Sequence, residues 1–418
     1  MTVSISDMEF ARILLAVTLV LLSAHVAGFL FTRLCMPRVV GEIIAGVFLG
    51  PTVFGYFWPN AFHWVFLGIE NQGKFMGMLA WFGLIFMMFI SGLEIDKKVQ
   101  RSDGKLVLSI LIWGTLLPFI CGWGAFKLWD FTVYGGPHFH PLAMQIIIAV
   151  AVAITSIPVI ARIFLDLDMF QTKFARVVLT TATIHDLILW IVLAIAAMLA
   201  GGRAFSLWDA LSSALSTIGV LLAGVFIFPR IFDRLSQSRH NWLMRSSAMG
   251  FILFICFVFV VFSSLLQVNV VFGAFLAGIV VGRMKGELFT EQKQHIKEIA
   301  MGLFVPLYFG MVGLKLNMVN GFNLSFCLQF LIFATVISMG SNWPGAFVVR
   351  RNWCESLNIA FAMNARGGPG IVVASLAYEW GIINNAFFTT LVILALVTSA
   401  MAGWWFKFVL NKKWPLLT

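Results

Sequence analysis

Long apolar runs, separated by short polar connections, recur along the whole chain of 418 residues. An α-helix of about 20 apolar residues is long enough to cross the hydrocarbon core of a bilayer. The runs are continuous, whereas the strands of a membrane β-barrel alternate between apolar and polar positions. The pattern therefore predicts thirteen membrane-spanning helices, near residues 10–31, 39–56, 76–94, 106–127, 142–165, 176–200, 207–229, 247–267, 269–283, 299–315, 324–348, 356–378 and 386–410.

The composition supports this interpretation. Hydrophobic residues make up 61% of the chain and charged residues only 11%. A soluble protein of this length could not cover its surface with so few charges, so the composition indicates an all-α polytopic membrane protein. We expect residues 1–418 to form one transmembrane unit without a soluble domain.

Arg and Lys residues are concentrated in alternate connections between the predicted helices, as expected for loops on the inner side of a membrane. These connections contain, for example, Arg33, Lys97, Arg234 and Lys293. The bias predicts an N-terminus outside and a C-terminus in the cytoplasm, in a membrane such as the bacterial inner membrane. It also accounts for the net charge of +10, with attraction to lipid, so no nucleic-acid partner is expected. Segment 284–298 is predicted to be an amphipathic helix on the inner surface.

Side chains suited to enzymatic or cofactor chemistry are sparse. The five cysteines are scattered without C-x-x-C spacing, which favours small buried residues over disulfides or metal ligands. His138 and His140, in the loop GGPHFHP, are only a weak signal for a metal site. The chain shows no nucleophile–base set and no phosphate-binding loop, so the sequence predicts neither an enzyme nor a bound cofactor.

Two short segments recur in the second half of the chain. VGEIIAGVFLGP at 40–51 matches FGAFLAGIVVGR at 272–283 in its glycine and alanine positions. The next predicted helix of each half ends similarly, in FISGLEID at 89–96 and GMVGLKLN at 310–317. The charge bias places these two ends on opposite sides of the membrane, so the matches predict inverted repeats, a transporter signature. Small residues at this spacing also recur in ordinary helix bundles, which is the alternative.

The proposed repeats cover about 39–200 and 269–410, and each contains one interrupted helix. Pro158 interrupts the first, after Thr155 and Ser156, and the run GGPG at 367–370 interrupts the second. A proline inside a membrane helix frees a backbone carbonyl. We expect the two interruptions to cross near the midplane, where their helix ends would favour ions; a kink without function is the alternative for each proline alone.

Three ionisable residues lie clearly within predicted helices: Glu42, Asp186 and Arg366. Asp186 lies one helix after the first interruption, so it can face the crossing. It could be a structural partner of Arg366, or it could bind a cation and a proton in competition, because a desolvated carboxylate holds its proton tightly. Thr155, Ser156 and the freed carbonyls supply the oxygen atoms that a hard cation prefers.

Taken together, these segments resemble the cation:proton antiporter-2 family, which includes Kef-like transporters and plant cation/proton exchangers. The resemblance covers nearly the whole chain, through PRVVGEIIAGVFLGP, FISGLEID, TSIPVIARIFLDL, IHDLILW, GAFLAGIVVGR, VGLKLN, ARGGPGIVVASLAYEWGII and FTTLVILALVTS. It implies a sodium/proton antiporter fold, usually dimeric, in which a core domain with both broken helices moves against a dimerisation domain in an elevator-like cycle. It also implies that Asp186 is the carboxylate that binds the transported ion and the proton.

The chain departs from this family at two positions. His185 stands before Asp186, where the family commonly has Asp, Asn or Gln; it could orient Asp186, titrate near neutral pH, or be a neutral structural residue. Asn342, in MGSNWPGAF, stands where the family usually has a lysine, which puts the proton stoichiometry and the antiport itself in question. Arg366 could offset this loss, with Glu42 or Asp186 as its partner.

The leading hypothesis is exchange of Na⁺ or K⁺ for H⁺ by alternating access, with Asp186 binding either ion in turn. One alternative is a gated cation efflux channel controlled by a separate cytosolic subunit, as Kef-like relatives often carry a nucleotide-binding domain. Another is a sensor on a transporter scaffold, suggested by His185 and Asn342. Homodimerisation is expected from the family resemblance.

Overall fold

The computed structural model describes residues 6–34, 36–70, 72–93, 103–169, 171–200, 215, 219, 222–238, 241–266, 270–284, 287–319 and 322–417. Within these ranges the regular elements are helices: α1 Asp7–Arg33, α2 Arg38–Leu49, α3 Phe54–Phe57, α4 Pro59–Phe62, α5 Gln72–Leu93, α6 Gly104–Leu111, α7 Leu117–Gly124, α8 Pro141–Ala153, α9 Ile157–Asp166, α10 Lys173–Ala200, α11 Phe228–Gln237, α12 Trp242–Ser246, α13 Ala248–Leu265, α14 Val270–Arg283, α15 Glu287–Ile299, α16 Val305–Lys315, α17 Leu324–Arg350, α18 Trp353–Met363, α19 Gly367–Glu379 and α20 Asn385–Asn411.

Nine of the described helices are long and apolar enough to cross a membrane, some of them as joined segments. They are Asp7–Arg33, Arg38–Phe57, Gln72–Leu93, Gly104–Lys127, Lys173–Leu193, Ala248–Leu265, Phe289–Lys315, Leu324–Arg350 and Asn385–Asn411. Each coincides with a predicted span. Of the remaining four spans, 142–165 and 356–378 are each two shorter helices, 269–283 is the short α14, and 207–229 lies largely outside the described residues.

Short π-helical turns join several of these segments. One at Ile112–Leu116 connects α6 to α7, and another at Ala300–Phe304 connects α15 to α16. The helix predicted on the inner surface at 284–298 is therefore α15, but it continues through a π turn into the next span instead of ending before it. Interactions that widen a helix locally are not visible in the hydrophobic pattern, and π turns often occur at functional sites.

The chain divides into two compact units. Unit 1 comprises Met1–Ala27, Glu42–Ile95 and Leu211–Lys315, and unit 2 comprises Gly28–Gly41, Asp96–Ala210 and Leu316–Thr418. Both interrupted helices, α8–α9 and α18–α19, belong to unit 2.

Within unit 1, the backbones of α2 and α16 are in direct contact at Gly313. A Cβ atom added to Gly313 would overlap the carbonyl oxygen of Ile43 and lie 2.8 Å from the Cα atom of Gly46. Only glycine at this point allows the two helix backbones to touch, as small residues do in membrane helix pairs.

The pair α5 and α14, also in unit 1, repeats this contact. A Cβ atom added to Gly92 would overlap the carbonyl oxygen of Phe275 and lie 2.9 Å from the Cα atom of Gly278. Gly278 is the sequence match of Gly46, and Gly92 is the match of Gly313. The matched sequence segments therefore make matching contacts.

In unit 2, protein surrounds one short helix of each interrupted span, α8 in the first and α19 in the second. Every α8 residue from Ile146 to Ala153 is buried, as is every α19 residue from Gly367 to Ala377. Irregular backbone at membrane depth is tolerated only where protein or a polar cavity covers it, and this enclosure supplies the cover.

Candidate ion-binding site

The first interruption lies between α8 and α9. Helix α8 ends at Ala153, and Ile154 adopts an extended backbone conformation with φ −62° and ψ 143°. The chain becomes helical again at Ile157, so Pro158 is the second residue of α9. A proline is well accommodated in the first turn of a helix, because an N–H there has no intrahelical acceptor. The interruption thus lies at residues 154–156, before Pro158, whereas Pro158 was predicted to break the helix after Thr155 and Ser156.

The second interruption lies between α18 and α19, at residues 364–366. Gly367 is the first residue of α19 and has a positive φ of 29°. A Cβ atom there would overlap the Val159 side chain and lie 2.8 Å from the Ser156 hydroxyl oxygen. The run GGPG was predicted to be the break itself, but it forms the first turn of the new helix. Glycine is required at 367 by the contact and by the backbone conformation.

The two interruptions are hydrogen-bonded to each other. The backbone N–H of Ser156 donates to the carbonyl oxygen of Ala365 at 2.6 Å. The Thr155 hydroxyl donates to the carbonyl oxygen of Met363, also at 2.6 Å. Both donors are buried. The predicted meeting of the two broken helices is therefore confirmed.

Hydroxyl groups cap the two helices that begin at the crossing. The Ser156 hydroxyl accepts a hydrogen bond from the backbone N–H of Val159 at 3.3 Å. The Ser399 hydroxyl, on α20, accepts from the N–H of Gly367 at 3.1 Å and donates to Ala395. These caps satisfy N–H groups at the positive ends of the helix dipoles. Ser399 was not predicted from the sequence, because its local signal is just the polar pair Thr398–Ser399 within an apolar run.

Arg366 joins the crossing to its surroundings through carbonyl oxygens. Its guanidinium donates to the last turn of α8 at Ala151 and Val152, both at 3.0 Å, and to Ala334 of α17 at 2.7 Å. It also donates to the backbone and side-chain oxygens of Asn364, at 3.3 and 2.7 Å. The positive charge therefore lies against the negative end of the α8 dipole.

The sequence left Asp186 and Glu42 open as partners of Arg366. The described hydrogen bonds of the guanidinium all go to carbonyl and amide oxygens. Glu42 is buried on α2 and belongs to unit 1. A buried backbone carbonyl also accepts a hydrogen bond from a guanidinium, and sequence alone does not reveal which carbonyls a helix break exposes.

Asp186 lies in the middle of α10, which packs against both α8 and α9. The residue is 2% exposed, and its Oδ1 atom has no hydrogen-bond partner among the described residues. Buried carboxylate oxygens normally have partners, so this one is available to an ion or a proton. Thr155 and Ser156 lie on the interrupted helix that α10 contacts, and they are likewise buried.

His185 is fully buried beside Asp186 in the chain. Within the described ranges, neither ring nitrogen of His185 has a hydrogen-bond partner, so the interpretation in which His185 is hydrogen-bonded to Asp186 is not supported. Consecutive helix residues point in different directions, which explains why the two side chains are not paired. The neutral and titrating interpretations are compatible with this position.

Asn342 lies on α17 and is 1% exposed. Its side-chain N–H donates to the carbonyl oxygen of Ser338 at 2.8 Å, a bond within its own helix. The amide oxygen lies against Gly114 in the π turn, where any side chain would overlap it, and has no partner in the described part of the chain. The position that carries a lysine in the resembling family therefore carries a neutral amide in a closely packed environment.

The remaining candidates are placed away from this crossing. His138 lies in a loop, where its Nδ1 atom is 3.2 Å from the carbonyl oxygen of Trp380. The part of the chain that the structure describes contains no cluster of three or more His, Cys, Asp or Glu side chains arranged to hold a metal.

Buried helices that meet at two interruptions, within a largely apolar helical chain, define an integral membrane protein of the transporter class. The family described as "Sodium/hydrogen exchanger, transmembrane" matches residues 20–412. The chain therefore belongs to the sodium/hydrogen exchanger family.

Individual proteins agree with this assignment. The chain is 29% identical over 408 residues to cation/H(+) antiporter 18 of Arabidopsis thaliana, covering 94% of this chain but 48% of the plant protein. It is 26% identical to the Na(+)/H(+)-K(+) antiporter GerN of Bacillus cereus, covering 97% of this chain and 98% of that protein. The chain thus spans about half the length of the plant relative and nearly the full length of the bacterial one.

A solved structure shares the fold. The sodium proton antiporter MjNhaP1 from Methanocaldococcus jannaschii superimposes with a TM-score of 0.59 and 12% sequence identity, over 94% of this chain and 95% of that one. The similarity confirms the predicted fold class, an all-α membrane protein of the sodium/proton antiporter fold.

Proposed function

We propose that this protein exchanges a monovalent cation, Na⁺ or K⁺, for a proton, and that Asp186 binds the two ions in turn. One observation carries the proposal: a buried carboxylate with an unpartnered oxygen lies on a helix packed against both halves of an interrupted helix. The family membership, and the names of relatives that exchange cations for protons, support it.

Competition between the two ions follows from burial. An isolated ionised carboxylate is costly away from water, so Asp186 needs either a proton or a bound cation. Both cannot occupy the same oxygens, and cation binding therefore displaces the proton. Hydroxyl oxygens of Thr155 and Ser156, with nearby backbone carbonyls of the interruption, are suitable further ligands for a hard cation. Arg366, by joining α8, α17 and the second interruption, would hold these groups in position.

We assign alternating access to an elevator-type movement of unit 2. Support comes from the location of the candidate groups: Thr155, Ser156, Asp186, Asn342 and Arg366 all belong to this unit. A site built within one compact unit can be carried as a body. Unit 1 contains the matched glycine contacts, which support the proposed inverted repeats.

Other assignments rest on pattern and resemblance. We place the protein in a membrane such as the bacterial inner membrane. The distribution of basic residues supports an N-terminus outside and a C-terminus in the cytoplasm. The resemblance supports a homodimer and, for the channel alternative, a separate cytosolic regulatory subunit.

The test is transport by the purified protein in liposomes that enclose a pH-sensitive dye. Addition of Na⁺ or K⁺ should move protons in the opposite direction, and Asp186→Asn should abolish this movement while remaining folded. Asp168→Asn is a matched control, because Asp168 is exposed and has a φ of 55°, a conformation that asparagine readily adopts. Cation conductance without proton exchange would instead support the alternative of a gated cation channel. Biological activity retained by Asp186→Asn would support the alternative of a sensor on a transporter scaffold.

A further inference from the structure

An open cavity of about 480 Å³ lies at the C-terminal end of α19, within unit 2. Its polar lining comes from His138, Tyr378, Glu379, Asn384 and Asn385. One wall is the loop before α8, and the other is the segment that joins α19 to α20. The distribution of basic residues predicts both connections on the outer side of the membrane.

The two walls of the cavity are joined by hydrogen bonds between their backbones. The N–H of Gly136 donates to the carbonyl oxygen of Ile382 at 3.1 Å, and the N–H of His138 donates to that of Gly381 at 2.8 Å. Asn384 donates twice to the loop before α8, from its backbone and its side chain, both at 2.9 Å. Groups on the two walls therefore keep a fixed spacing, which favours ligand binding.

The ring of His138 is oriented by the backbone of the opposite wall. Its Nδ1 atom lies 3.2 Å from the carbonyl oxygen of Trp380, and a Cβ atom added to Gly381 would lie 3.0 Å from the same nitrogen. A carbonyl oxygen can only accept a hydrogen bond, so Nδ1 carries the proton and Nε2 keeps its lone pair in the neutral ring. Among the described residues, Nε2 has no hydrogen-bond partner. Histidines that bind metals are commonly held in this way, with a backbone carbonyl fixing the nitrogen that does not face the metal.

The charges around the cavity favour a cation. Glu379 supplies an exposed carboxylate, and it immediately precedes Trp380, whose carbonyl oxygen holds the His138 ring. The described residues that line the cavity include no Lys or Arg. The C-terminal end of a helix also carries partial negative charge, because its last carbonyl groups have no intrahelical donors.

The types of ligand atom distinguish between cations. Zinc is bound in proteins by histidine nitrogen and carboxylate oxygen, and imidazole also suits copper and nickel. Calcium and magnesium prefer oxygen ligands alone. An imidazole nitrogen and a carboxylate on the same cavity therefore indicate a transition metal.

We propose that this cavity binds a divalent transition-metal ion, with Zn²⁺ as the representative, through Nε2 of His138 and the carboxylate of Glu379. Water completes the coordination, because two protein ligands leave open positions on a tetrahedral ion. His140, the other histidine of the sequence motif, does not line the described cavity. A bound ion would join the loop before α8 to the end of α19, and so connect the two interrupted spans. The proposal is independent of Asp186 and of cation/proton exchange.

The test is Zn²⁺ binding by the purified full chain without a polyhistidine tag, measured by isothermal titration calorimetry in detergent. The wild type should show a site that His138→Gln weakens at least about tenfold, and that Glu379→Gln also weakens. Both side chains are exposed, so both variants should fold. His140→Gln is the matched control and should bind Zn²⁺ as the wild type does.

Thermal unfolding gives a second readout. Zn²⁺ should raise the melting temperature of the wild type but not that of His138→Gln, because an ion that binds only the native state stabilises it. Ca²⁺ should raise neither. Absence of Zn²⁺ binding by the wild type, or binding that His138→Gln leaves unchanged, would overturn the proposal. Binding that is lost in His140→Gln and retained in Glu379→Gln would also overturn it, since the metal would then lie between the two histidines.

Discussion

The backbone N–H of Ser156 donates to the carbonyl oxygen of Ala365 at 2.6 Å, across the point where two helices are interrupted. The two residues are 209 positions apart in the chain and lie in opposite halves of it. Each supplies a backbone group that the interruption of its own helix has freed, and each satisfies the other. The interruptions therefore stabilise each other, since a buried unpaired backbone group would cost free energy.

Gly367→Ala should damage this crossing. The added Cβ atom would overlap Val159 and lie 2.8 Å from the Ser156 hydroxyl oxygen, in a backbone conformation that disfavours alanine. We expect a loss of stability of about 1–3 kcal/mol and impaired transport. Thermal unfolding in detergent measures the first and liposome flux the second.

Gly340→Ala is the control for this substitution. Gly340 lies within α17 and has open space where a Cβ atom would be. Alanine there should leave stability unchanged or slightly higher. Equal melting temperatures for the Gly367 and Gly340 variants would show that the crossing does not need glycine.

The Ser399 hydroxyl should prove to be part of the crossing. Ser399→Ala removes the acceptor for the Gly367 N–H, and loss of such a cap costs about 0.5–2 kcal/mol. Ser91→Ala is a matched control, because among the described residues the buried Ser91 hydroxyl makes one hydrogen bond, to Met87 of its own helix. Thermal unfolding should show a clearly larger loss of stability for Ser399→Ala than for Ser91→Ala. Equal losses would show that the Ser399 hydroxyl does not stabilise the start of α19.

Arg366→Lys should not be a conservative substitution. The planar guanidinium donates to Ala151 from Nε and to Val152 and Ala334 from Nη2, and a single ammonium group cannot reach all of these acceptors. Each buried carbonyl left without a donor costs about 1–3 kcal/mol. We expect lower thermal stability and strongly reduced flux. A lysine variant with normal stability would mean that a positive charge alone, without the hydrogen bonds, is sufficient.

The matched glycine contacts predict matched sensitivity. Gly313→Ala would place a Cβ atom 2.8 Å from the Cα atom of Gly46, and Gly92→Ala would place one 2.9 Å from that of Gly278. The two variants should therefore lose similar stability, of about 1–3 kcal/mol. Gly77→Ala, where α5 has open space, is the control. Markedly unequal losses would argue against equivalent roles for the two contacts.

The sequence pattern was sufficient to predict where the long helices lie and where the two interrupted helices meet. Apolar length predicted each long helix, and proline and glycine placed both interruptions within a few residues. Buried polar contacts were harder to predict, because they depend on distant backbone atoms. The acceptors of Arg366 on α8 and α17 are an example: carbonyl groups occur at every residue, and only the fold selects those at Ala151 and Ala334.

One other feature was beyond the sequence for a related reason. Ser399 caps α19 from a helix that begins after it, so no local capping pattern identifies it. Its hydroxyl also donates to Ala395, the intrahelical bond that serine commonly makes, which hides its second role.

Proton release on cation binding tests most directly whether Asp186 holds the two ions in competition. Purified protein in detergent, in a weakly buffered solution with a pH indicator, is titrated with Na⁺ or K⁺. The account predicts that about one proton is released per cation bound, and that Asp186→Asn releases none, while Asp168→Asn behaves as the wild type. Proton release that persists in folded Asp186→Asn, or cation binding by the wild type without proton release, would contradict the account.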